Sequence, residues 1–457
     1  MSFQQRQSVL TSVRRTNSFF SKLIILILLI LSATPQFAND SSNTPVYTYP
    51  LYQRSQELVD AINGEIGLGK LFTDEFISQI PKEKIKNLFS MTFDRLGKAK
   101  RINFLKTAKN RPFMIKIDFE KGTAQLELFL EPEQDYKIKW LRISRVEYDS
   151  ISNIQSIEEI STYIKKLGGV NGFAFVKIAP NEKVIESVEP DKVLAIGSTF
   201  KLIVLGELVR AVNFNERDWD DNIIIKKTSN LPPGIFKSVK PGTSVSLRNL
   251  ARSMIESSDN SAADILIYEL GREKIKNVQK MIGFKNPDMN SPFLTTMELF
   301  KLKGLRDGKL GREYIALKDE KKRLNYLDVN VPNESHTTST EYYQYEQPIM
   351  VDDIEWYASS MDLIRLSKWF YDNRNTEGGE YALDLLALNP GPVNEPKKFM
   401  YVGYKGGSEP GVINMTLIIN DIDNNWYVIS GSWNNSQKTV DNYYFESIVR
   451  KAVKLAF

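Results

Sequence analysis

Cysteine is absent from the 457 residues and histidine occurs once. The first absence excludes disulfides, thiol nucleophiles and thiolate metal sites. The second leaves only His336, in Asn333-Glu334-Ser335-His336-Thr337, far from any nucleophile signature. A serine–histidine–acid hydrolase would have to be built on that residue, without a Gly-x-Ser-x-Gly elbow. A zinc site fits even less, and no metal or other cofactor is expected. Net charge is also scarce. The formal +4 resides in the first 38 residues, where Arg6, Arg14, Arg15 and Lys22 stand without an acid, and the rest is neutral. A neutral body offers no field for nucleic acid or an anionic surface, so no nucleic-acid partner is expected.

A long hydrophobic run is missing too. Leu23–Leu31 is too short to span a bilayer comfortably. It follows a basic stretch and precedes small and polar residues ending Gln36-Phe37-Ala38, which is the layout of an export signal over residues 1–38. Cleavage is expected after Ala38, with Ala33 as the alternative site and an uncleaved anchor as the alternative fate. The protein is then exported, periplasmic or secreted, and meets a membrane only through that segment if it is retained.

What remains is ordinary globular material, 42% apolar and 25% charged, and too long for one core. Residues 39–50 are polar, contain proline and read as a linker. Helical spacing follows around Gln53–Ile62, Thr73–Ile80 and Lys82–Leu96. Alternation then takes over in Arg101–Thr107, Pro112–Phe119, Thr123–Phe129 and Tyr136–Val146. Residues 51–149 are therefore expected to form a small α+β domain. Its outline resembles the cone-shaped domains related to nuclear transport factor two and ketosteroid isomerase, on architecture alone. No acid pair stands out in it, which favours a packing or docking module.

Residues 150–457 are expected to be a second domain, with 150–165 as a bridge. Gly172–Ala179 and Lys183–Val188 read as a hairpin, and Ala195-Ile196-Gly197-Ser198-Thr199-Phe200-Lys201 follows. Leu202, Leu205, Leu208, Val209 and Val212 then recur at helical spacing. Ser198 and Lys201 fall on one face of that helix's first turn, placing a hydroxyl within reach of an amine. A serine hydroxyl is a weak nucleophile until a base takes its proton, and a desolvated lysine can be that base. Alone, the pair is also what a capping serine and a surface lysine look like. Ser258-Asp259-Asn260 lies at a break between two helices, where a second hydroxyl relays protons and an amide holds lysine and substrate, or where a serine or aspartate caps the next helix. Lys405-Gly406-Gly407-Ser408 lies at the end of a strand; a cation beside glycines lets an anionic substrate lie along the edge, although glycine-rich turns are common. The polar region Phe284–Asp353 reads as an insertion or long loops. Ile364–Tyr371 is helical, and the chain closes with Phe399–Tyr404, Val412–Ile419 and Trp426–Ser432 as a meander and a helix over Val440–Leu455.

In this order the three clusters resemble the Ser-x-x-Lys, Ser-Asp-Asn and Lys-Thr-Gly set of class A β-lactamases and penicillin-binding proteins. The likeness extends through Gly197-Ser198-Thr199-Phe200-Lys201-Leu202 and Ser258-Asp259-Asn260-Ser261-Ala262-Ala263, and covers about residues 150–457. It implies an antiparallel five-stranded sheet flanked by helices with a helical subdomain, hence an α+β multi-domain chain. It also implies roles. Ser198 would be acylated, Lys201 would accept its proton, Ser258 would shuttle that proton to the leaving nitrogen and Asn260 would orient the site. Lys405, with Gly406, Gly407 and Ser408, would bind substrate, and the N–H groups of Ser198 and Ser408 would form an oxyanion hole. Three features depart from the family: Gly406 replaces its threonine, the stretch between Asn260 and Lys405 is longer than usual, and no Glu-x-x-Leu-Asn precedes Asp353-Ile354-Glu355-Trp356. Glu341 stands at a comparable distance as a possible general base. The expected activity is hydrolysis of a β-lactam or related amide or ester. The alternatives are a penicillin-binding-type peptidase or esterase acting on peptidoglycan peptides or small acyl compounds, and a binding module without turnover.

Overall fold

The computed structural model describes residues 48–105, 111–226, 228, 230–331, 347–393 and 395–457. The signal-like segment 1–38, His336 and Glu341 lie outside the described residues. Helix α1 (Thr48–Ile62) begins inside the stretch expected to be a linker. Pro50 does not prevent this, because the first turn of a helix has no use for its missing N–H. Helices α2 (Asp74–Gln79) and α3 (Lys82–Phe93) follow, α2 capped by the Thr73 hydroxyl, which accepts from the Phe76 N–H at 3.2 Å.

The period then changes to two. Strands β1 (Ala99–Leu105), β2 (Phe113–Phe119), β3 (Gly122–Glu131) and β4 (Lys137–Tyr148) form an antiparallel meander in chain order. Alternate residues Ala124, Leu126, Leu128 and Leu130 of β3 face inward with Ile115, Ile117, Ile138, Phe72 and Phe89. Residues 150–165, expected as a bridge, lie in and between α4 (Asp149–Ser152) and α5 (Ile157–Lys165), which bury Ile151, Ile160 and Ile164.

The hairpin β5 (Val170–Ala179) and β6 (Lys183–Val188) leads to β7 (Leu194–Ala195), a 3-10 turn (Gly197–Phe200) and α6 (Lys201–Asn213). A short ladder of β8 (Asn222–Ile224) and β9 (Ser244–Ser246) precedes α7 (Leu247–Glu256), α8 (Asn260–Leu270) and α9 (Arg272–Ile282). Phe284–Asp353 is not mainly loop where it is described: α10 (Thr296–Gly304), α11 (Lys309–Ala316) and α12 (Glu320–Val329) lie within it. Its helices are hard to read because lysines occupy core positions. Lys301 and Lys303 are buried, so the apolar stripe that marks a helix is interrupted. The Thr295 and Glu298 capping box was the available signal.

Strand β10 (Tyr357–Ala358) pairs with β7, and α13 (Ser360–Asp372) and α14 (Glu377–Ala387) follow. The sequence reading passed over α14, whose first turn holds Gly378-Gly379. Strands β11 (Tyr401–Glu409), β12 (Val412–Asn420) and β13 (Trp426–Asn434) and helix α15 (Asn442–Ala456) complete the chain. The second sheet runs β11-β12-β13-β5-β6, antiparallel throughout. Alternation sorts its two faces. Phe173, Phe175, Leu417 and Ile429 pack with Ile160, Ile448 and Val449 of α5 and α15, while Ala174, Val176, Ile418 and Val428 pack with α6 and the helical subdomain. The architecture is α+β and multi-layered, with a β-lactamase/transpeptidase-like sheet and helical subdomain.

The N-terminal unit docks on α15, which lies against the face of the sheet opposite α6. Tyr148 meets Tyr444 edge-on at 4.9 Å, the Tyr443 hydroxyl donates to the Ile143 carbonyl at 3.2 Å, and Arg95 pairs with Asp441 at 3.1 Å.

Candidate active site

Ser198 stands on the 3-10 turn, one turn before α6 becomes regular. Three contacts hold that turn. The Ile196 N–H donates to the Trp356 carbonyl at 2.9 Å, and the Phe200 ring stacks on Trp356 with centroids 3.8 Å apart. Asn434 of β13 brackets β7 through both the N–H and the carbonyl of Ala195, at 2.8 and 3.0 Å. Gly197 sits at φ +50°, where a side chain is strained, and a Cβ there would lie 3.1 Å from the Ser408 N.

Lys201 is the first residue of α6 and is completely buried. Its Nζ lies 3.4 Å from Ser198 Oγ and donates to Ser258 Oγ at 3.1 Å, to Asn260 Oδ1 at 2.7 Å and to the Ser258 carbonyl. Ser258 adopts φ +56°, in the left-handed region, at the break between α7 and α8. That conformation costs a non-glycine residue about 1–2 kcal/mol, and here it aims both the hydroxyl and the carbonyl of Ser258 at one amine. Asp259 turns away from the cluster. It caps α8 by accepting from the Ala262 N–H at 2.8 Å and holds the Ile235 N–H at 2.5 Å, as the capping interpretation of this motif requires.

Lys405 is placed mid-strand, because β11 continues to Glu409 rather than ending near Tyr404. Its Nζ donates to Ser258 Oγ at 3.0 Å and to the Gly406 carbonyl. Two lysines therefore converge on one hydroxyl. Burial pushes Lys201 down to about 7, with Asp259 and Asp264 opposing the shift. Burial, and then the neighbouring Lys201, push Lys405 well below its ordinary value. A hydroxyl between two enclosed amines is stable only if at least one amine is neutral. The amine that can serve as base is thus neutral above pH about 7, and acylation is expected to rise with pH through that value. A rate-versus-pH series with a fluorescent penicillin checks this, and a flat profile from pH 5 to 8 would count against Lys201 as the base.

Gly407 explains how the strand reaches the turn. A Cβ on it would lie 2.2 Å from the Ile196 carbonyl oxygen and 2.4 Å from the Ser198 N, so only glycine permits this approach. The approach sets the Ser198 and Ser408 backbones side by side, at a point where both residues are partly exposed. Gly406 has a different cause. A Cβ there would lie 2.0 Å from the Tyr404 hydroxyl, so the phenol occupies the space in which a threonine would begin.

The structure thus gathers Ser198, Lys201, Ser258, Asn260 and Lys405 in one hydrogen-bonded cluster beside Gly406, Gly407 and Ser408, while Glu341 is outside the described residues. The sequence reading missed two supports. Trp356 braces the nucleophile turn, and Asp264 joins α8 to α10 by accepting from the Thr296 and Met297 N–H groups at 2.6 and 2.9 Å. Burial raises Asp264 to about 7.

The family described as "Beta-lactamase enzyme family" matches residues 155–342. Among solved structures, a β-lactamase from Sphaerobacter thermophilus DSM 20745 is similar, with 18% identity over 65% of this chain and 94% of that one, at a TM-score of 0.45. A β-lactamase from Chitinophaga pinensis DSM 2588 has 16% identity over 65% and 96%, at 0.44. The protein titled PBP-A has 14% identity over 65% and 95%, also at 0.44. No curated protein matches the sequence. Residues 155–342 of this chain match the β-lactamase enzyme family, and the described residues among them belong to a β-lactamase/transpeptidase-like fold.

Proposed function

We propose that this protein is an exported serine hydrolase that is acylated at Ser198 by β-lactams or related amides and esters. The observation that carries this reading is the enclosed Lys201 amine, shared by Ser198, Ser258 and Asn260 and lowered to about 7 by burial. The neutral amine takes the Ser198 proton as Oγ bonds to the carbonyl carbon. The Ser198 and Ser408 N–H groups stabilise the oxyanion. When the C–N bond breaks, Ser258 Oγ gives its proton to the leaving nitrogen and is reprotonated by Lys201. A carboxylate on the substrate would restore the charge on Lys405 and so supply binding energy. Export rests on residues 1–38 and places the substrate outside the cytoplasm.

Release of the acyl group needs a positioned water. A general base typically contributes about 10²–10⁴-fold, and Glu-x-x-Leu-Asn is missing. The expected result is a burst of product with a chromogenic cephalosporin, followed by slow turnover, with the protein one acyl group heavier by intact mass. A penicillin-binding-type peptidase or esterase would behave alike with β-lactams but also turn over its own peptide or ester. Steady turnover without a burst, lost in Glu341→Gln, would show that the base is present. No adduct at all would leave the binding-module reading.

A further inference from the structure

A second cluster of buried ionisable groups lies at the rim of the site. Lys303 of α10 donates through Nζ to Glu355 Oε1 and to Glu409 Oε1, both at 2.5 Å. The Lys303 and Glu355 side chains are fully enclosed, and that of Glu409 is 18% exposed. One ammonium and two carboxylates would leave a net negative charge largely withdrawn from water, which favours a proton on Glu409. Burial and Glu355 hold the Glu409 carboxyl well above the ordinary carboxylate range, against the pull of Lys303.

The connections of these residues make the cluster more than a local ion pair. Glu409 directly follows Ser408 on β11. Glu355 directly precedes Trp356, whose carbonyl and ring hold the nucleophile turn. Lys303 belongs to the helix whose N-terminus Asp264 ties to α8, which begins at Asn260. The three walls of the site therefore meet at one Nζ.

We propose that Lys303, Glu355 and Glu409 are positioning residues that fix the Ser408 N–H relative to the Ser198 turn, through the ammonium that the two carboxyls share. This rests on the acyl-enzyme reading of the site. When the Glu409 proton is lost, the two carboxylates repel and the end of β11 moves off the turn. The groups facing Glu409 are Lys303 from α10 and Glu355 from the segment entering β10, and Asp352, Asp353 and Tyr357 of that segment lie in the same field.

The test uses the exported chain with Glu409→Gln, which keeps a neutral hydrogen-bonding group, and with Lys303→Met. In the wild type, a folded carboxyl raised above its ordinary value of about 4.3 binds its proton more tightly than the unfolded one. Stability from this group is full below that pH and is lost as pH rises towards the folded value. The melting temperature of the wild type is therefore expected to fall more steeply above pH about 5 than that of Glu409→Gln. The second-order acylation rate should show an alkaline fall that Glu409→Gln removes, and Lys303→Met should lower that rate about 10²-fold, as a displaced oxyanion donor would. If Lys303→Met does not fold, the Glu409→Gln comparison decides alone. Parallel melting slopes, or an alkaline limb unchanged in Glu409→Gln, would overturn the proposal. A wild type with no adduct at Ser198 would instead sink the acyl-enzyme reading, while the melting slopes still report on the cluster.

Discussion

Ser198→Ala is expected to abolish covalent labelling by β-lactams and serine-reactive phosphonates, leaving no mass adduct at any concentration. Lys201→Met is expected to slow labelling by about 10²–10⁴-fold, the usual contribution of a positioned base. The two losses are not additive, because both remove the same step. Methionine is the better probe of Lys201 than alanine. The amine has four partners and no exposed surface, so truncation to alanine would add a cavity to the loss of the base. Thermal melts on both variants check that the fold persists. Undiminished labelling of Ser198→Ala would end the assignment of the nucleophile. A Lys201→Met protein that labels at the wild-type rate would move the base elsewhere, with Ser258 beside Lys405 the next pair to test.

Gly407→Ala is expected to produce the second large loss, about 10²–10³-fold in acylation rate, the range for an oxyanion donor removed. The new methyl would lie 2.2, 2.4 and 2.5 Å from the Ile196 O, Ser198 N and Thr199 N. All three are backbone atoms, so relief requires β11 and the turn to separate, and that separation carries the Ser408 N–H away from the oxyanion. Gly406→Ala is the control next door. Its methyl meets the Tyr404 hydroxyl, the far end of a side chain, which can swing aside. A much smaller loss is expected there. Measuring both with a fluorescent penicillin, alongside melting temperatures, separates a moved oxyanion hole from a weakened fold. Gly407→Ala acylating at the wild-type rate would show that the Ser408 N–H is not part of the reacting geometry.

Much of this protein was legible in its residues because the relevant signals are local. The helix after Ser198 announces itself by Leu202, Leu205 and Leu208 within a long apolar run, and the closing meander by strand-length apolar runs, as elements buried on all sides do. The site motifs were legible for a related reason. A 3-10 turn and a helix break each fix the spacing of Ser198 with Lys201 and of Ser258 with Asn260 within a few residues. What only the tertiary structure decided involves groups far apart in the chain. The sharing of one Ser258 hydroxyl by Lys201 and Lys405 depends on β11 lying against the nucleophile turn, and the sequence carries only its precondition, Gly407. Lys303, Glu355 and Glu409 look like solvated charges along the chain, because charge normally marks surface. Their burial is possible only because each brings a partner for the others, and mutual compensation leaves no periodic trace. The same compensation hid α10 inside a stretch that composition alone assigned to an insertion or long loops.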